Sequence, residues 1–157
     1  VLGHGRIVEA LVALGARCGF RVTVDDPQGS RESYPAAARL VTDDPDYERI
    51  DVTPRTWVVV ATHHKSDHLA ICRALELGAA GISMIASVKR RGVVFGLLDG
   101  LGVPAERLKG IRSPAGLDLG GSEPEEIALS VLAEIVCARR GGSGRPLAEV
   151  RAGRKAT

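Results

Sequence analysis

Aromatic residues are scarce in this sequence, which has one Trp, two Tyr and two Phe among 157 residues. Small aliphatic side chains must therefore fill the interior, and such a core favours helices packed closely on a parallel sheet. No apolar run approaches the roughly 20 residues that a membrane-spanning helix needs, and no signal peptide is visible. A chain of this length fits one domain with a well-buried core.

Strong positive charge is also missing, because 21 Lys and Arg residues against 19 Asp and Glu leave a formal net charge of +2. We therefore expect no nucleic-acid partner. The three cysteines, Cys18, Cys72 and Cys137, lie far apart without CxxC spacing. We interpret them as buried free thiols within helices, which are typical of a reducing, cytoplasmic compartment.

Patterns for catalysis are absent as well. The sequence shows no Ser/His/Asp arrangement and no activated cysteine. His63, His64 and His68 lie close together, but residues 65–67 do not complete an HExxH metal motif. We assign no catalytic residue and no metal ligand.

The sequence does contain a glycine turn, in the segment VLGHGRIV at residues 1–8. This pattern predicts the end of a buried strand, a tight turn and the start of a helix. In nucleotide-binding domains the first glycine reverses the backbone, the second admits a pyrophosphate, and the helix N-terminus presents amides to it. Gly3 and Gly5 fill these positions, and Val8 stands where a third small residue is usual. Because so little of a central strand remains, we expect residues or a domain upstream.

A carboxylate follows at the expected distance from the turn. In the dinucleotide fingerprint, an acid about 20 residues after the glycines binds the ribose. The strand predicted before Pro27 ends in Asp25 and Asp26. Asp26 is the better candidate, and Asp25 is the reserve. The pattern predicts a dinucleotide-type site, and the alternative is an α/β scaffold that binds nothing.

The clearest strand is predicted at residues 56–62, whose uninterrupted apolar run indicates burial on both faces. Polar side chains follow at its carboxyl end, where open α/β sheets place ligands. Further strands are predicted around residues 40–41 and at 81–86, and helices at about 66–77 and 89–101. Acids at residues 43–46 predict a solvated turn.

A strongly signalled helix follows a glycine-rich loop at residues 112–121. Ser122 as N-cap, Pro124 in the first turn and Glu125 three residues after the cap predict a capping box. The long loop before it is typical of a functional segment. We predict one domain over residues 1–140 and a flexible Gly/Arg-rich tail over 141–157.

The chain resembles the C-terminal Rossmann-like domain of the XdhC and CoxI family in four segments: GHGR, VTVDDP, VVVATHHKSDHLA and SPAGLDLGGSEPEEIALSVLAEIV. The resemblance implies an α/β, Rossmann-like, doubly wound and mostly parallel sheet with helices on both faces. Members of the family are accessory proteins that bind molybdenum cofactor and help to sulfurate it and insert it into molybdenum hydroxylases. The resemblance thus implies a cytoplasmic homodimer with a client of the xanthine or carbon monoxide dehydrogenase type, and a cysteine desulfurase as a further partner.

The resemblance also implies a site for the molybdenum cofactor, molybdopterin, at the carboxyl ends of the strands. In it His63 contacts phosphate or pterin, Lys89 with the adjoining arginines grips a phosphate or the dithiolene, and Asp118 bonds a pterin amino group. The solvated face of a helix and a local cap are the alternatives for Lys89 and Asp118. The full predicted set is Gly3, His4, Gly5, Arg6, Asp26, Thr62, His63, Ser87, Lys89, Gly116 and Asp118.

The chain departs from the family pattern within this site. Arg6 stands where a His is usual, and His64 and Lys65 replace an Asp and a Pro. Two other functions fit the same residues. One is an NAD(P)-dependent oxidoreductase, in which Asp26 would favour NAD because it repels a 2′-phosphate. The other is a scaffold domain that only dimerises.

Overall fold

The computed structural model describes residues 1–62 and 66–154. Within these ranges strands and helices alternate along most of the chain. Their bounds are β1 (Leu2–Gly3), α1 (Arg6–Arg17), β2 (Thr23–Asp25), β3 (Arg39–Val41), β4 (Trp57–Ala61), α2 (Asp67–Glu76), β5 (Gly81–Met84), α3 (Val88–Gly100), α4 (Ala105–Lys109), β6 (Ile111–Arg112), α5 (Pro124–Arg140) and α6 (Leu147–Arg154).

The strands form one sheet in the order β3-β2-β1-β4-β5-β6, and each neighbouring pair is parallel. Leu2 pairs with Val60, which in turn pairs with Met84, so the two-residue β1 lies at the centre. The strand order reverses between β1 and β4, where the chain leaves the sheet in opposite directions and a crevice opens. The predicted Rossmann-like, doubly wound fold is confirmed.

Helices cover both faces of the sheet. Val58 and Val60 point into a core shared with α2 and α3, whereas Val59 points into a core shared with α1 and α5. Because β4 is buried on both faces, it has an apolar residue at every position. No helix of the described residues has both the length and the hydropathy needed to cross a bilayer.

Helix α5 begins one residue later than the sequence pattern predicted. Its N-cap is Glu123, and the capping box pairs Glu123 with Glu126, whose carboxylate accepts from the Glu123 amide at 3.1 Å. The prediction of Ser122 with Glu125 was wrong. Both pairs have the right spacing, but Pro124 takes the first helical position, and this selects the residue before it as the cap.

Two predictions about burial were wrong in part: Asp43 and Asp46 are exposed as the predicted solvated turn requires, but Asp44 is not. Asp44 is buried and accepts from the amides of Glu48 and Arg49 at 3.0 and 2.8 Å, so it is not a solvated turn residue. The three cysteines are free, but Cys18 is exposed and the other two are half-buried. Helical spacing places these thiols beside the core-facing stripe of each helix and not within it.

Two short elements were not predicted. Strand β6 pairs with β5 at the edge of the sheet, in a segment without strand periodicity because it contributes only two residues. Helix α6 lies in the predicted tail, and its Leu147 is exposed. The flexibility of residues 141–157 stays a prediction.

Candidate functional site

The glycine turn joins the central strand to α1. Gly3 and Gly5 have φ angles of +135° and +90°, a region that favours glycine. A Cβ atom at Gly3 would lie 2.3 Å from the carbonyl oxygen of Ala61, so glycine alone lets β1 approach β4 this closely. Gly5 is the N-cap of α1, and a glycine supplies no side-chain acceptor to the first amides of the helix. This geometry suits an anion at the helix N-terminus.

A cavity of about 230 Å³ opens at this turn. Its apolar floor comes from α1, β4 and the end of β5, and its polar atoms come from the turn, the end of β4 and α3. The lining residues are His4, Arg6, Ile7, Ala61, Thr62, Ile85 and Arg90. The cavity therefore combines an apolar surface with two guanidinium groups and an imidazole at the reversal point of the sheet, which is where open α/β folds bind ligands.

Arg90 is held in place by a buried carboxylate. Asp67, which is 3% exposed, accepts from Nε of Arg90 at 2.8 Å and pairs with its Nη2 at 2.5 Å. The other carboxylate oxygen accepts from the hydroxyl of Thr62. A guanidinium bonded in this way keeps a defined orientation, so Arg90 brings a fixed positive charge to the cavity.

Arg6 and His4, in contrast, lie at the mouth of the cavity, where both are exposed. Nη2 of Arg6 lies 4.0 Å from Oε1 of Glu125, and both side chains are more than 60% exposed. An exposed ion pair at that distance contributes little to stability. Arg6 can therefore turn towards an anionic ligand at small cost.

The carboxylate of Asp26, which was predicted to bind a ribose, is already hydrogen-bonded within the protein. Oδ2 of Asp26 accepts from the hydroxyl of Tyr34 at 2.7 Å, and Oδ1 accepts from the amide of Gln28 at 3.0 Å. Asp26 and Tyr34 are 4% and 1% exposed. Burial, and then the carboxylate of Asp26, raise the pKa of Tyr34, whereas an interaction with the backbone of Gly5 opposes this shift. Because Tyr34 shares a core cluster with Val8 of α1 and bonds Asp26, it lies between the helix that follows the glycine turn and Asp26.

The reserve candidate, Asp25, lies outside the cavity lining. It is 1% exposed and adjoins Asp44. Burial, followed by the nearby carboxyl group of Asp44, raises the pKa of Asp25 to about 7. Its carboxyl group belongs to a buried acidic pair beside β2, and this placement does not bring it to a ligand at the turn.

The structure brings only part of the predicted set together. Gly3, His4, Gly5, Arg6 and Thr62 lie at the turn or the cavity. Ser87 is the N-cap of α3, where its Oγ accepts from the amide of Arg90 at 3.2 Å. Lys89 is exposed and is not part of the lining.

Arg90, the neighbour of Lys89, takes its place in the cavity. The signal that could have singled out Arg90 is its spacing, because it lies one turn before the buried Val94. Lys89 lacks that relation to the core-facing side of α3.

The glycine-rich loop is organised by packing on α5. The amide of Gly116 donates to Oε2 of Glu134 at 3.1 Å, and a Cβ atom there would lie 2.1 Å from Oγ of Ser130. Gly116 therefore has a sufficient structural role, and Asp118 is not among the cavity lining. His63 lies outside the described residues, as do His64 and Lys65.

Comparisons with known proteins agree with this architecture. A family model described as the XdhC Rossmann domain matches residues 1–135. A protein of Bacillus subtilis (strain 168) named as a probable xanthine dehydrogenase subunit is 35% identical over 146 residues, which are 89% of this chain and 42% of that protein. The uncharacterized protein YqeB of Escherichia coli (strain K12) is 27% identical over 150 residues, 92% of this chain and 28% of that protein.

A solved structure shares the fold. The crystal structure of a xanthine dehydrogenase from Bacillus halodurans matches with a TM-score of 0.76 and 27% identity, over 89% of this chain and 41% of that one. This chain thus spans less than half the length of these relatives.

Proposed function

The chain belongs to the family of XdhC Rossmann domains, and from that premise we propose that it binds molybdenum cofactor for a molybdenum hydroxylase of the xanthine dehydrogenase type. The chain would serve as an accessory module in maturation of that enzyme, holding the cofactor during sulfuration and insertion. The observation that carries the proposal is the cavity at the glycine turn, with Arg90 fixed at its wall and Arg6 at its mouth.

The chemistry of this cavity fits a ligand with a phosphate and a flat heterocycle. The N-terminus of α1 and the guanidinium of Arg90 would bind the phosphate. Ile7 and Ile85 offer an apolar surface against which a pterin ring can pack. The molybdenum cofactor is the cargo in this proposal, and the chain's own residues bind and orient it.

An NAD(P)-dependent oxidoreductase is the second candidate, and the position of Asp26 directly after β2 favours it. The hydrogen bond from Tyr34 to that carboxylate weighs against it, because the ribose would need the same acceptor. The two candidates differ in the ligand that depends on the turn, so equilibrium binding distinguishes them.

The partners that the family implies are proposed for this chain as well. We expect a molybdenum hydroxylase client, a cysteine desulfurase and a cytoplasmic setting.

A homodimer is also proposed, and the outer side of α3 supports it. Val93, Leu97 and Leu101 are 61%, 48% and 62% exposed there. Analytical ultracentrifugation tests this expectation.

Calorimetric titration with pyrophosphate, together with measurement of molybdenum cofactor retained by the purified chain, tests the proposed binding. We expect Arg90→Gln to weaken pyrophosphate binding by about tenfold or more, because a charge-assisted hydrogen bond is lost. The matched control is Arg139→Gln, since Arg139 stacks on Phe20 and is not part of the cavity. Equal affinities for the two variants, or no retained cofactor, would contradict the proposal.

A further inference from the structure

We propose that Tyr34 fills the space in which this fold binds the ribose of a dinucleotide. The cavity therefore accepts a ligand with a terminal phosphate and rejects an adenine dinucleotide. The inference rests on the proposed function and names its ligand class as a heterocycle carrying a terminal phosphate. A pterin monophosphate belongs to that class. A nicotinamide dinucleotide does not.

The position of Tyr34 is the first observation that supports this inference. In a doubly wound fold the dinucleotide ribose lies between the glycine turn and the acid after β2. Tyr34 lies in that gap: its hydroxyl is 2.7 Å from Oδ2 of Asp26, and it belongs to one core cluster with Val8 of α1 and Ala61 at the end of β4. A ribose and this phenol cannot occupy the same space.

The hydrogen-bonding capacity of Asp26 carries the second step. An adenosine ribose is recognised by a carboxylate that accepts from its hydroxyl groups. Oδ2 already accepts from Tyr34, and Oδ1 accepts from the amide of Gln28. Because the residue is only 4% exposed, a ribose could reach it only by displacing the tyrosine.

The packing around Tyr34 shows why displacement is unfavourable. The ring is 1% exposed and belongs to a core cluster with Val8, Val24 and Ala61. The loop that carries it is tied down by its own backbone, since the amide of Tyr34 donates to the carbonyl of Ser30 at 3.2 Å and the Tyr34 carbonyl accepts from the amide of Ala37 at 3.1 Å. Moving Tyr34 out would open the core and break the loop.

Tyr34 also provides a function for Asp26 that needs no ligand. The sequence placed an acid at the ribose position, and the same acid holds the tyrosine that excludes a ribose. The acid of the dinucleotide fingerprint therefore has a structural role here. The part of the site beside α1, where a phosphate would bind, stays accessible at the cavity.

Calorimetric titration of the full chain with pyrophosphate and with ADP-ribose tests the inference. For the wild type we expect ADP-ribose to bind no more tightly than pyrophosphate, since the adenosine half adds no contact. ADP-ribose binding that is tenfold tighter than pyrophosphate binding would overturn the inference and leave the anion site intact. Absence of pyrophosphate binding would instead overturn the proposed function, so the two failures are distinguishable.

Variants at Tyr34 provide a second test of the inference. Tyr34→Ala should gain about tenfold or more in affinity for ADP-ribose while pyrophosphate affinity stays within about threefold, and Asp26→Asn added to it should cancel the gain. Tyr34→Phe keeps the ring in the gap and should show no gain. If Tyr34→Ala does not fold, the wild-type comparison and Tyr34→Val decide the question. A folded small-residue variant without any gain would overturn the inference.

Discussion

Arg90 of α3 and Asp67 of α2 are joined by two contacts to a single carboxylate oxygen, with Nε at 2.8 Å and Nη2 at 2.5 Å from Oδ2. This buried pair ties two helices together at the carboxyl ends of β4 and β5. It also determines where the positive charge of the cavity lies. The hydroxyl of Thr62 completes the carboxylate's hydrogen bonding.

Removing the charge of Asp67 should therefore affect both stability and binding. Asp67→Asn leaves a largely buried guanidinium without its anion, and we expect a loss of about 2–3 kcal/mol in the free energy of unfolding. Urea denaturation measures this loss, and pyrophosphate titration should show weaker binding because Arg90 is no longer oriented. The control is Glu76→Gln in the exposed pair with Arg73 on the same helix, where we expect less than about 0.5 kcal/mol. Equal effects of the two substitutions would argue against a special role for the buried pair.

The turn should not tolerate a side chain at Gly3. Gly3→Ala places a Cβ atom 2.3 Å from the Ala61 carbonyl oxygen at a φ angle of +135°, and both β1 and β4 would have to move. We expect a loss of more than about 3 kcal/mol, or failure to fold.

Gly96→Ala is the matched control for this substitution, because Gly96 lies within α3 and has open space around it. That variant should be neutral or more stable by about 0.5–1 kcal/mol. Thermal denaturation of the two variants compares them. A Gly3→Ala protein as stable as Gly96→Ala would show that β1 and β4 are not in close contact.

Stability should depend on pH through Asp25. Burial, followed by the nearby carboxyl group of Asp44, raises the pKa of Asp25 to about 7, against the opposing effect of Arg49. Between about pH 4 and pH 7 the folded state therefore keeps a proton on Asp25 that the unfolded chain has released. The stabilisation of the folded state by this proton is complete below pH 4 and is lost as the pH rises to about 7. A shift of this size corresponds to a few kcal/mol, on the order of 4.

Asp25→Asn should remove that dependence, because an amide cannot ionise. Urea denaturation between pH 4.5 and 6 should show the variant gaining stability relative to the wild type as the pH rises. Below this range other carboxyl groups titrate, and above it the pH approaches the raised pKa of Asp25 itself. Asp46→Asn, at an exposed position, is the control. A constant difference between Asp25→Asn and the wild type across these pH values would contradict the prediction.

The central elements of the fold could be predicted because their signals are local. An apolar run in β4, a glycine pair before α1 and helical spacing in α5 each lie within a dozen residues. The parallel pairing agrees with the doubly wound fold that the family resemblance implies, since each crossover helix links neighbouring strands. The short β6 gave no such signal.

The site residues were harder to predict, because their identity depends on contacts between distant segments. The sequence indicated that Asp26 follows β2, and the structure agrees. It did not indicate that Tyr34 bonds this carboxylate, since Tyr34 comes from a loop without periodicity. Likewise, a basic segment at residues 89–91 was visible, and the spacing from Val94 favours Arg90 within it, but only the fold shows that Asp67 fixes the orientation of Arg90.

The sequence by itself determined the type of fold and the place of its glycine turn, because backbone freedom and hydrophobic periodicity are properties of neighbouring residues. The tertiary structure alone decided which carboxylates stay available to a ligand. Burial and contacts between residues that are not neighbours in the chain place Asp25 beside Asp44, Asp26 beside Tyr34 and Asp67 beside Arg90. The sequence does not distinguish these three aspartates. Their protonation and hydrogen bonding depend on the group that packing places beside each of them.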